Sequence, residues 1–189
     1  MMADTLVLTP QQIIRKKAAG EPIQPDDSEM TRKHTIVVLV ENSIGAFIRV
    51  INMFSARGFN IDSVTVGPTE DSSVSRMNIA TVGNSRIIAQ VLRQLSRLVD
   101  TIEVTDLTTT DYVERELCLL KVCYTKDSRS EILDVSDIFR GKVVDITKKT
   151  MTFELRGPSQ KIDAFIDMML PHNIVEVARS GRVAMQRDI

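Results

Sequence analysis

The chain has 189 residues, which is enough for one large domain or two small ones with a sizeable buried core. Its 24 Lys and Arg residues nearly balance 25 Asp and Glu residues, and the formal net charge of -1 excludes the overall basic excess typical of proteins that bind nucleic acids or anionic membranes. Six Phe, two Tyr and no Trp leave few rings for base stacking, so the core is predicted to be aliphatic.

The cysteines and the apolar runs indicate a cellular compartment. Cys118 and Cys123 are too few for a disulfide framework, and by themselves they do not supply the four ligands of a zinc site. Their spacing within a strand-like segment places them on opposite faces, and we interpret them as reduced, packed thiols of a cytoplasmic protein. No apolar run approaches the about 20 residues of a membrane span, and the first residues do not resemble a signal peptide, so no membrane association is expected.

The composition of the chain changes at about residue 34. Residues 1–33 hold three of the six prolines, carry charges and show no sustained apolar period, which predicts a flexible tail. The β-branched run of residues 34–40 predicts a strand. Ser43 then predicts the N-cap of a helix that ends near Gly58 in a left-handed C-cap, with apolar positions at Ile44, Phe47, Ile51 and Phe54.

The next segments complete a unit of four strands and two helices. Residues 60–66 and 74–82 alternate around a stretch dense in turn formers, which predicts a hairpin. A second amphipathic helix follows Asn84, and its apolar positions are Ile87, Ile88, Val91, Leu92, Leu95 and Leu98. Residues 100–107 predict a fourth strand. The predicted order is βαββαβ.

The second half repeats this order. Arg57, Gly58 and Asp62 recur at equivalent positions as Arg140, Gly141 and Asp145, and the predicted elements of the second half are strand 114–124, helix 128–139, hairpin 142–147 with 150–156, helix 158–170 and strand 173–178. We therefore predict an α+β protein of two tandem ferredoxin-like βαββαβ domains, comprising residues 34–110 and 111–189. Because residues 37–40 are apolar on both faces of their strand, we expect the open face of the sheet to pack on another sheet, domain or subunit, and we predict an obligate homodimer.

Patterns for catalysis and RNA binding are not found in the sequence. It contains no plausible Ser/His/Asp arrangement, no Walker-type phosphate loop and no cluster of His, Asp and Glu at metal-ligand spacing. His34 opens a strand and His172 follows a proline, and both are interpreted as surface residues. The third strand, residues 74–82, has none of the rings on which an RNA-binding domain of this topology stacks bases, so no nucleic-acid partner is expected.

The turn between the first strand and the first helix is the candidate ligand site. Gly45 lies inside the first helical turn, where its missing side chain would let a carboxylate approach the free N–H groups. Asn42 and Asn60 supply amides that both donate and accept, as the ammonium and carboxylate groups of an α-amino acid require. The alternative, which the residues alone leave open, is that Ser43 is a simple N-cap and Gly45 a packing contact.

Several motifs in both halves resemble one family. The first half contains VENSIGA at residues 40–46, FSARGFNI at 54–61, SVTVGPT at 63–69 and SRM at 75–77, and the second half contains VERE at 113–116, IFRG at 138–141 and VEVARSG at 175–181. Together they resemble the regulatory (small) subunit of acetohydroxyacid synthase, also called acetolactate synthase, over about residues 34–183. The resemblance implies that the first domain is an ACT domain.

The resemblance also implies a ligand and its site. Members of the family dimerise and bind a branched-chain amino acid, usually valine, at the interface between two ACT domains. By motif, the ligand-binding residues would be Asn42, Ser43, Ile44, Gly45 and Ala46, together with Asn60 and Ile61 of the other chain. Gly67 stands where many relatives carry alanine, which leaves the choice among valine, leucine and isoleucine open.

The function implied by the resemblance is regulatory. The chain would do no chemistry and hold no cofactor; it would associate with a catalytic subunit that uses thiamine diphosphate, Mg²⁺ and FAD, raise its activity and confer feedback inhibition. Two alternatives remain from the sequence alone: a free-standing double-ACT amino-acid sensor that controls transcription or another enzyme, and an RNA-binding or metal-responsive module of the same topology.

Overall fold

The computed structural model describes residues 31–187, and these residues form two successive βαββαβ units. The elements of the first unit are β1 (Arg32–Glu41), α1 (Ala46–Ser55), β2 (Ser63–Pro68), β3 (Val74–Gly83), α2 (Ser85–Leu95) and β4 (Thr101–Asp106). Those of the second are β5 (Tyr112–Cys123), α3 (Arg129–Ile138), β6 (Lys142–Ile146), β7 (Thr150–Gly157), α4 (Ser159–Met169), β8 (Ile174–Arg179) and an additional strand, β9 (Val183–Gln186). The predicted fold class and element order are confirmed.

Both sheets are antiparallel and share one strand order. The first runs β2-β3-β1-β4 and the second β6-β7-β5-β8, with β9 paired to the N-terminal end of β5. In the first sheet Val38 lies opposite Met77 on one side and Val104 on the other. The helices of each unit pack on one face, so each sheet has one covered face and one open face.

Each unit has its own core between its sheet and its helices, built mainly from aliphatic side chains as the composition predicts. The buried residues of the first core are Ile36, Val38, Val40, Ala46, Val50, Met53, Phe54, Met77, Ile79, Val91 and Leu95. Those of the second are Cys118, Leu120, Val122, Ile132, Val135, Met151, Phe153, Leu155, Ile162, Phe165 and Met169. Burial of this apolar area provides the main stabilisation of each unit.

The start of α1 differs from the prediction. The helix begins at Ala46 after Gly45, whose φ is +89°, and no side chain caps it, so the assignment of Ser43 as N-cap is wrong. The buried face of α1 consists of Ala46, Val50, Met53 and Phe54. Ile44 and Phe47, which were predicted on the apolar face together with Phe54, are exposed. At the other end Gly58 has a φ of +68°, the left-handed conformation predicted there.

The open face of the first sheet is covered by the C-terminal segment of the chain. Residues 181–184 cross this face, where Thr65 Oγ1 donates to the carbonyl of Arg182 at 2.8 Å and the Ala184 N–H donates to Asn78 Oδ1 at 3.2 Å. Ala184 also packs in a small cluster with Val37, Leu107 and Tyr112. The sequence predicted that this face packs on another sheet, domain or subunit, and it packs on a domain of the same chain.

Two further side-chain predictions have different outcomes. His34 is 2 % exposed and its Nδ1 lies 2.9 Å from Asp106 Oδ2, so its interpretation as a surface residue is wrong. The reason is that β1 begins two residues earlier than predicted, which places His34 within the strand. Cys118 is buried and Cys123 half-buried, both are free thiols, and burial raises the pKa of Cys118. The predicted tail lies almost wholly outside the described residues.

Candidate effector-binding site

The turn after β1 is held against the loop between β2 and β3. The backbone N–H of Asn42 donates to the Ser73 carbonyl at 2.6 Å, and its side-chain Nδ2 donates to the Ser72 carbonyl at 2.9 Å. These bonds use the backbone N–H and one of the two side-chain N–H groups of Asn42, and they leave its side-chain oxygen without a hydrogen bond inside residues 31–187. Asn42 therefore fixes the turn and presents an acceptor to solvent.

The backbone of this turn exposes hydrogen-bond donors. The Ala46 N–H donates to the Ser43 carbonyl at 3.3 Å, whereas the N–H groups of Ile44, Gly45 and Phe47 meet no acceptor in the described part of the chain. Gly45 adopts a positive φ that L side chains rarely adopt, which gives it a backbone reason to be glycine. Free N–H groups at the N-terminus of a ten-residue helix are suited to a carboxylate.

An arginine that the sequence reasoning missed lies over the turn. A Cβ atom on Gly45 would lie 2.9 Å from a guanidinium nitrogen of Arg49. Arg49 is held there by Asp100, to which its Nε donates and its second terminal nitrogen donates at 2.8 Å. The hydrogen bond lowers the pKa of Asp100 and raises that of Arg49, so both groups stay charged. The signal in the sequence was a basic residue one helical turn after the glycine.

A second apolar stripe of α1 lies next to the turn and has no partner within the described chain. Ile44, Phe47, Ile48 and Ile51 recur at the spacing of one helix face, and the first three are exposed, Ile44 completely. The helix thus buries one apolar stripe in its own core and presents another. An exposed stripe beside a carboxylate-binding turn suits either an aliphatic ligand, a second protein surface, or both.

Asn60 and Ile61 lie at the opposite end of the sheet, in the loop before β2. Asn60 Nδ2 donates to Asp62 Oδ1 at 3.1 Å, its carbonyl accepts from Thr81 Oγ1 at 2.6 Å, and Ile61 packs against the first core. Thr81 pairs with His34, seven residues along β1 from Glu41 at the turn. At a rise of ~3.3 Å per residue the two groups are about 23 Å apart, so one chain does not bring them together.

A cavity of about 320 Å³ lies between the two domains, next to the loop of Asn60 and Ile61 and lined in part by Asp62 and Ser63. Four of the charged side chains that line it pair with one another. Arg179 donates to Glu116 at 2.6 and 2.8 Å and to Asp163 at 2.7 Å, and Lys33 lies 3.8 Å from Asp163. The hydrogen bonds to these carboxylates raise the pKa of Arg179. We interpret this region as an ionic contact between the domains.

Other kinds of site are not found in the described residues. Residues 31–187 contain no group of three or more His, Cys, Asp and Glu side chains placed to hold a metal ion. None of the helices in the same range is long and apolar enough to cross a membrane.

Comparison with known proteins identifies the family. Residues 36–103 match the family described as the AHAS small subunit-like ACT domain, and residues 115–188 match the small subunit of acetolactate synthase. The chain is 43% identical over 194 residues to the acetolactate synthase small subunit of Aquifex aeolicus, a match that covers 100% of this chain and 96% of the relative. The chain belongs to the acetolactate synthase small subunit family. It is therefore a non-catalytic regulatory subunit of an enzyme complex, and a catalytic large subunit is its partner.

Further relatives and a solved structure agree with this assignment. A probable acetolactate synthase small subunit of Archaeoglobus fulgidus is 46% identical over 155 residues, covering 82% of this chain and 97% of the relative. The crystal structure of the acetolactate synthase small subunit of Thermotoga maritima superposes with a TM-score of 0.74 at 38% identity, covering 84% of this chain and 99% of that one. Membership of this family favours a synthase regulator over a free-standing sensor or an RNA-binding module.

Proposed function

We propose that the chain forms a homodimer that binds a branched-chain amino acid, valine in the first instance, between its two ACT domains. In this proposal it activates the catalytic subunit and, with the amino acid bound, inhibits it. The supporting observation is the turn at residues 42–45, where free N–H groups and Arg49 adjoin an exposed aliphatic stripe.

The ligand's three parts match three features of the site. Its carboxylate accepts from the free N–H groups of the turn, close to the positive charge of Arg49. Its aliphatic side chain lies against the stripe that contains Ile44 and Ile48. Its ammonium group binds side-chain amide oxygens, that of Asn42 and, from the second chain, that of Asn60.

The second chain is needed because Asn60 is remote from the turn of its own chain. β2 is an edge strand of the first sheet in the described chain. Antiparallel pairing of β2 with β2 of a second copy would bring each Asn60 to the end of the joint sheet where the partner's turn lies. Val66, which is exposed on the helix side of β2, would be covered by the same pairing.

Feedback inhibition then follows from linkage. An effector shifts the complex only if it binds the inhibiting arrangement better than the activating one. A ligand that contacts two chains meets this condition, because a change in the angle between the ACT domains changes its contacts.

In the proposed complex, the catalytic subunit supplies thiamine diphosphate, Mg²⁺ and FAD, and the regulatory chain holds none of them. The two free cysteines fit a reducing compartment, in line with a cytoplasmic location.

Reconstitution tests this function. Acetolactate formation by the cognate catalytic subunit is measured alone, with the full chain, and with valine, leucine or isoleucine added. We expect activation by the chain and inhibition by at least one of the three amino acids. Activation with no response to any of them would contradict the proposed effector class.

A pair of variants then tests the site. Gly45→Asp places a carboxylate where that of the ligand binds, and Gly45→Asn imposes the same size and backbone strain without the charge. We expect Gly45→Asp to activate normally and to need at least about tenfold more valine for half-inhibition, with a smaller change for Gly45→Asn. Inhibition of Gly45→Asp at the wild-type valine concentration would refute the site.

A further inference from the structure

The open face of the second sheet carries apolar side chains that the described chain does not cover. Alternate residues of β5 point to this face, and they continue onto β9, where Val113 pairs with Met185 and Arg115 with Val183. Val183 is 56 % exposed and Met185 64 %. We call the following set the apolar strip: Val113, Leu117, Leu119, Val183 and Met185.

A groove lies on the apolar strip beside the connection between β8 and β9. Residues 112–115 of β5 pair with β9 and residues 118–122 with β8, while residues 116–123 also pair with β7. The groove has a volume of about 510 Å³ and is lined by Leu117, Val183, Ser180, Glu116 and two arginines, Arg115 and Arg156.

The two arginines place guanidinium donors at the edge of the groove. Arg156 lies opposite Leu117 in the sheet, and its side chain is 75 % exposed with Glu154 at 3.2 Å. Among the described residues, the guanidinium group of Arg115 donates only to the carbonyl of its neighbour Glu114, at 2.6 Å. Glu116 is turned to the other face, where Arg179 neutralises it. An occupant with carboxylates flanking apolar side chains would complement this surface.

We propose that the apolar strip and its two arginines dock a segment of the catalytic subunit that carries apolar side chains flanked by carboxylates. This inference rests on the proposed function, in which the chain acts on a catalytic subunit. A second copy of the chain fits less well, because a two-fold contact would bring Arg115 and Arg156 of both copies onto one small patch.

The position of the strip explains how docking and effector binding communicate. The inward face of the β5–β9 ribbon contacts the ACT sheet: Ala184 accepts from Arg76 at 3.0 Å and donates to Asn78. The outward face carries Val183 and Met185. One short ribbon therefore lies between the sheet that holds the effector and the surface that holds the catalytic subunit.

The test compares strip variants with matched controls in the full chain. Met185→Glu and Arg156→Glu alter the strip, whereas Met168→Glu on α4 and Arg129→Glu on α3 make the same changes at exposed positions elsewhere. The dissociation constant for the cognate catalytic subunit is measured by sedimentation velocity, and valine binding to each variant alone by calorimetry. We expect each strip variant to raise the dissociation constant at least about tenfold, with the controls within about twofold and valine binding unchanged.

The outcomes separate the two proposals. Wild-type affinity for the catalytic subunit in both strip variants would overturn the docking surface while leaving the proposed function standing. A wild-type chain that binds neither catalytic subunit nor valine would instead overturn the proposed function. Should Met185→Glu also change the thermal unfolding midpoint, Arg156→Glu decides, because that side chain is exposed and contacts only its neighbour on the strand surface.

Discussion

The two halves of the chain share a topology but differ at the equivalent turn between first strand and first helix. In the second half Thr125 and Ser128 close the turn, each accepting through its hydroxyl from the other's backbone N–H, at 2.9 and 3.2 Å. In the first half no side chain of the turn accepts from its backbone; within residues 31–187 the N–H groups of Ile44, Gly45 and Phe47 are free, and a positive-φ glycine precedes the helix. Side chains of the second turn thus satisfy two of its own backbone donors, whereas those of the first turn satisfy none, which favours the first half as the site of the proposed effector.

The helices that follow these turns differ in the same way. The exposed face of α3 is mainly polar: it contains Glu131, Asp134 and Asp137, and Ile138 is exposed at its end. The exposed stripe of α1 is apolar and contains Ile44, Phe47 and Ile48. The equivalent helices therefore expose a mainly polar surface in the second half and an apolar surface in the first.

On the sheet faces that the helices leave open, it is the second half that exposes apolar side chains. The first is covered by residues 181–184, and the second, which carries the apolar strip, is not covered by any part of residues 31–187. Within the described residues the first domain therefore exposes apolar surface on its helix side and the second on its sheet side.

The largest expected effect concerns the stripe of α1. Ile48→Glu introduces a charge into the proposed dimer interface and should weaken dimerisation about a hundredfold, or by about 2.8 kcal/mol. Sedimentation equilibrium measures this change, and valine affinity should fall with it. Ile138→Glu, at an exposed position of α3, is the matched control; an equal loss of dimer there would contradict the distinction between the halves.

The covering of the first sheet provides the next test. Gly181 has a φ of +81°, and a Cβ atom there would lie 3.1 Å from Ser63 Cβ, so Gly181→Ala should reduce the free energy of unfolding by about 2 kcal/mol. Gly67→Ala on β2, where a Cβ atom meets nothing within 4 Å, should leave it unchanged. Urea unfolding of both variants distinguishes them. Equal stability of the two variants would mean that residues 181–184 do not pack against the first sheet.

A smaller effect distinguishes the two turns. Ser128→Ala removes the hydroxyl partner of Thr125 and should lower the free energy of unfolding by about 1 kcal/mol. Ser43→Ala removes a hydroxyl that makes no hydrogen bond within residues 31–187 and should be neutral to stability. The pair is compared by urea unfolding without valine, and a destabilised Ser43→Ala would restore a capping role to that residue.

The smallest effect is one of pH. Hydrogen bonding to Arg49 lowers the pKa of Asp100, so the unfolded state takes up this proton first as the pH falls. The pair therefore stabilises the fold above the ordinary pKa of an aspartate, and this contribution is lost as the pH falls through the lowered value. Asp100→Asn should unfold more easily than the wild type near pH 7 and should approach it near pH 3. Thermal unfolding across this range measures the difference, and a constant difference would contradict the linkage.

The element order was predictable from the sequence, but the face of α1 was not. Helix α1 is apolar on two stripes, and periodicity does not say which stripe meets the core. The helix starts later than predicted because Gly45 adopts a positive φ, which the sequence pattern does not encode. His34 was misplaced because a two-residue change in the start of β1 moves a side chain from the surface into the strand.

β9 was missed for a related reason. Its four residues are too few for a pattern, and the groups that hold it, Thr65, Arg76 and Asn78, lie more than a hundred residues away in the chain. The candidate site was predictable through the residues of its turn. The position of Arg49 over the turn and the distance from the turn to Asn60 depend on tertiary structure, so they were not predictable from the sequence.

The central claim, an effector site shared between two chains, is tested most directly by mixed dimers. Gly45→Asp and Asn60→Ala chains, each carrying a different affinity tag, are co-expressed and purified through both tags, and valine binding is counted by calorimetry. Each variant homodimer should lose both sites, whereas the mixed dimer combines one intact turn with one intact Asn60 and should recover one site per dimer. A mixed dimer that binds no valine would contradict the shared site.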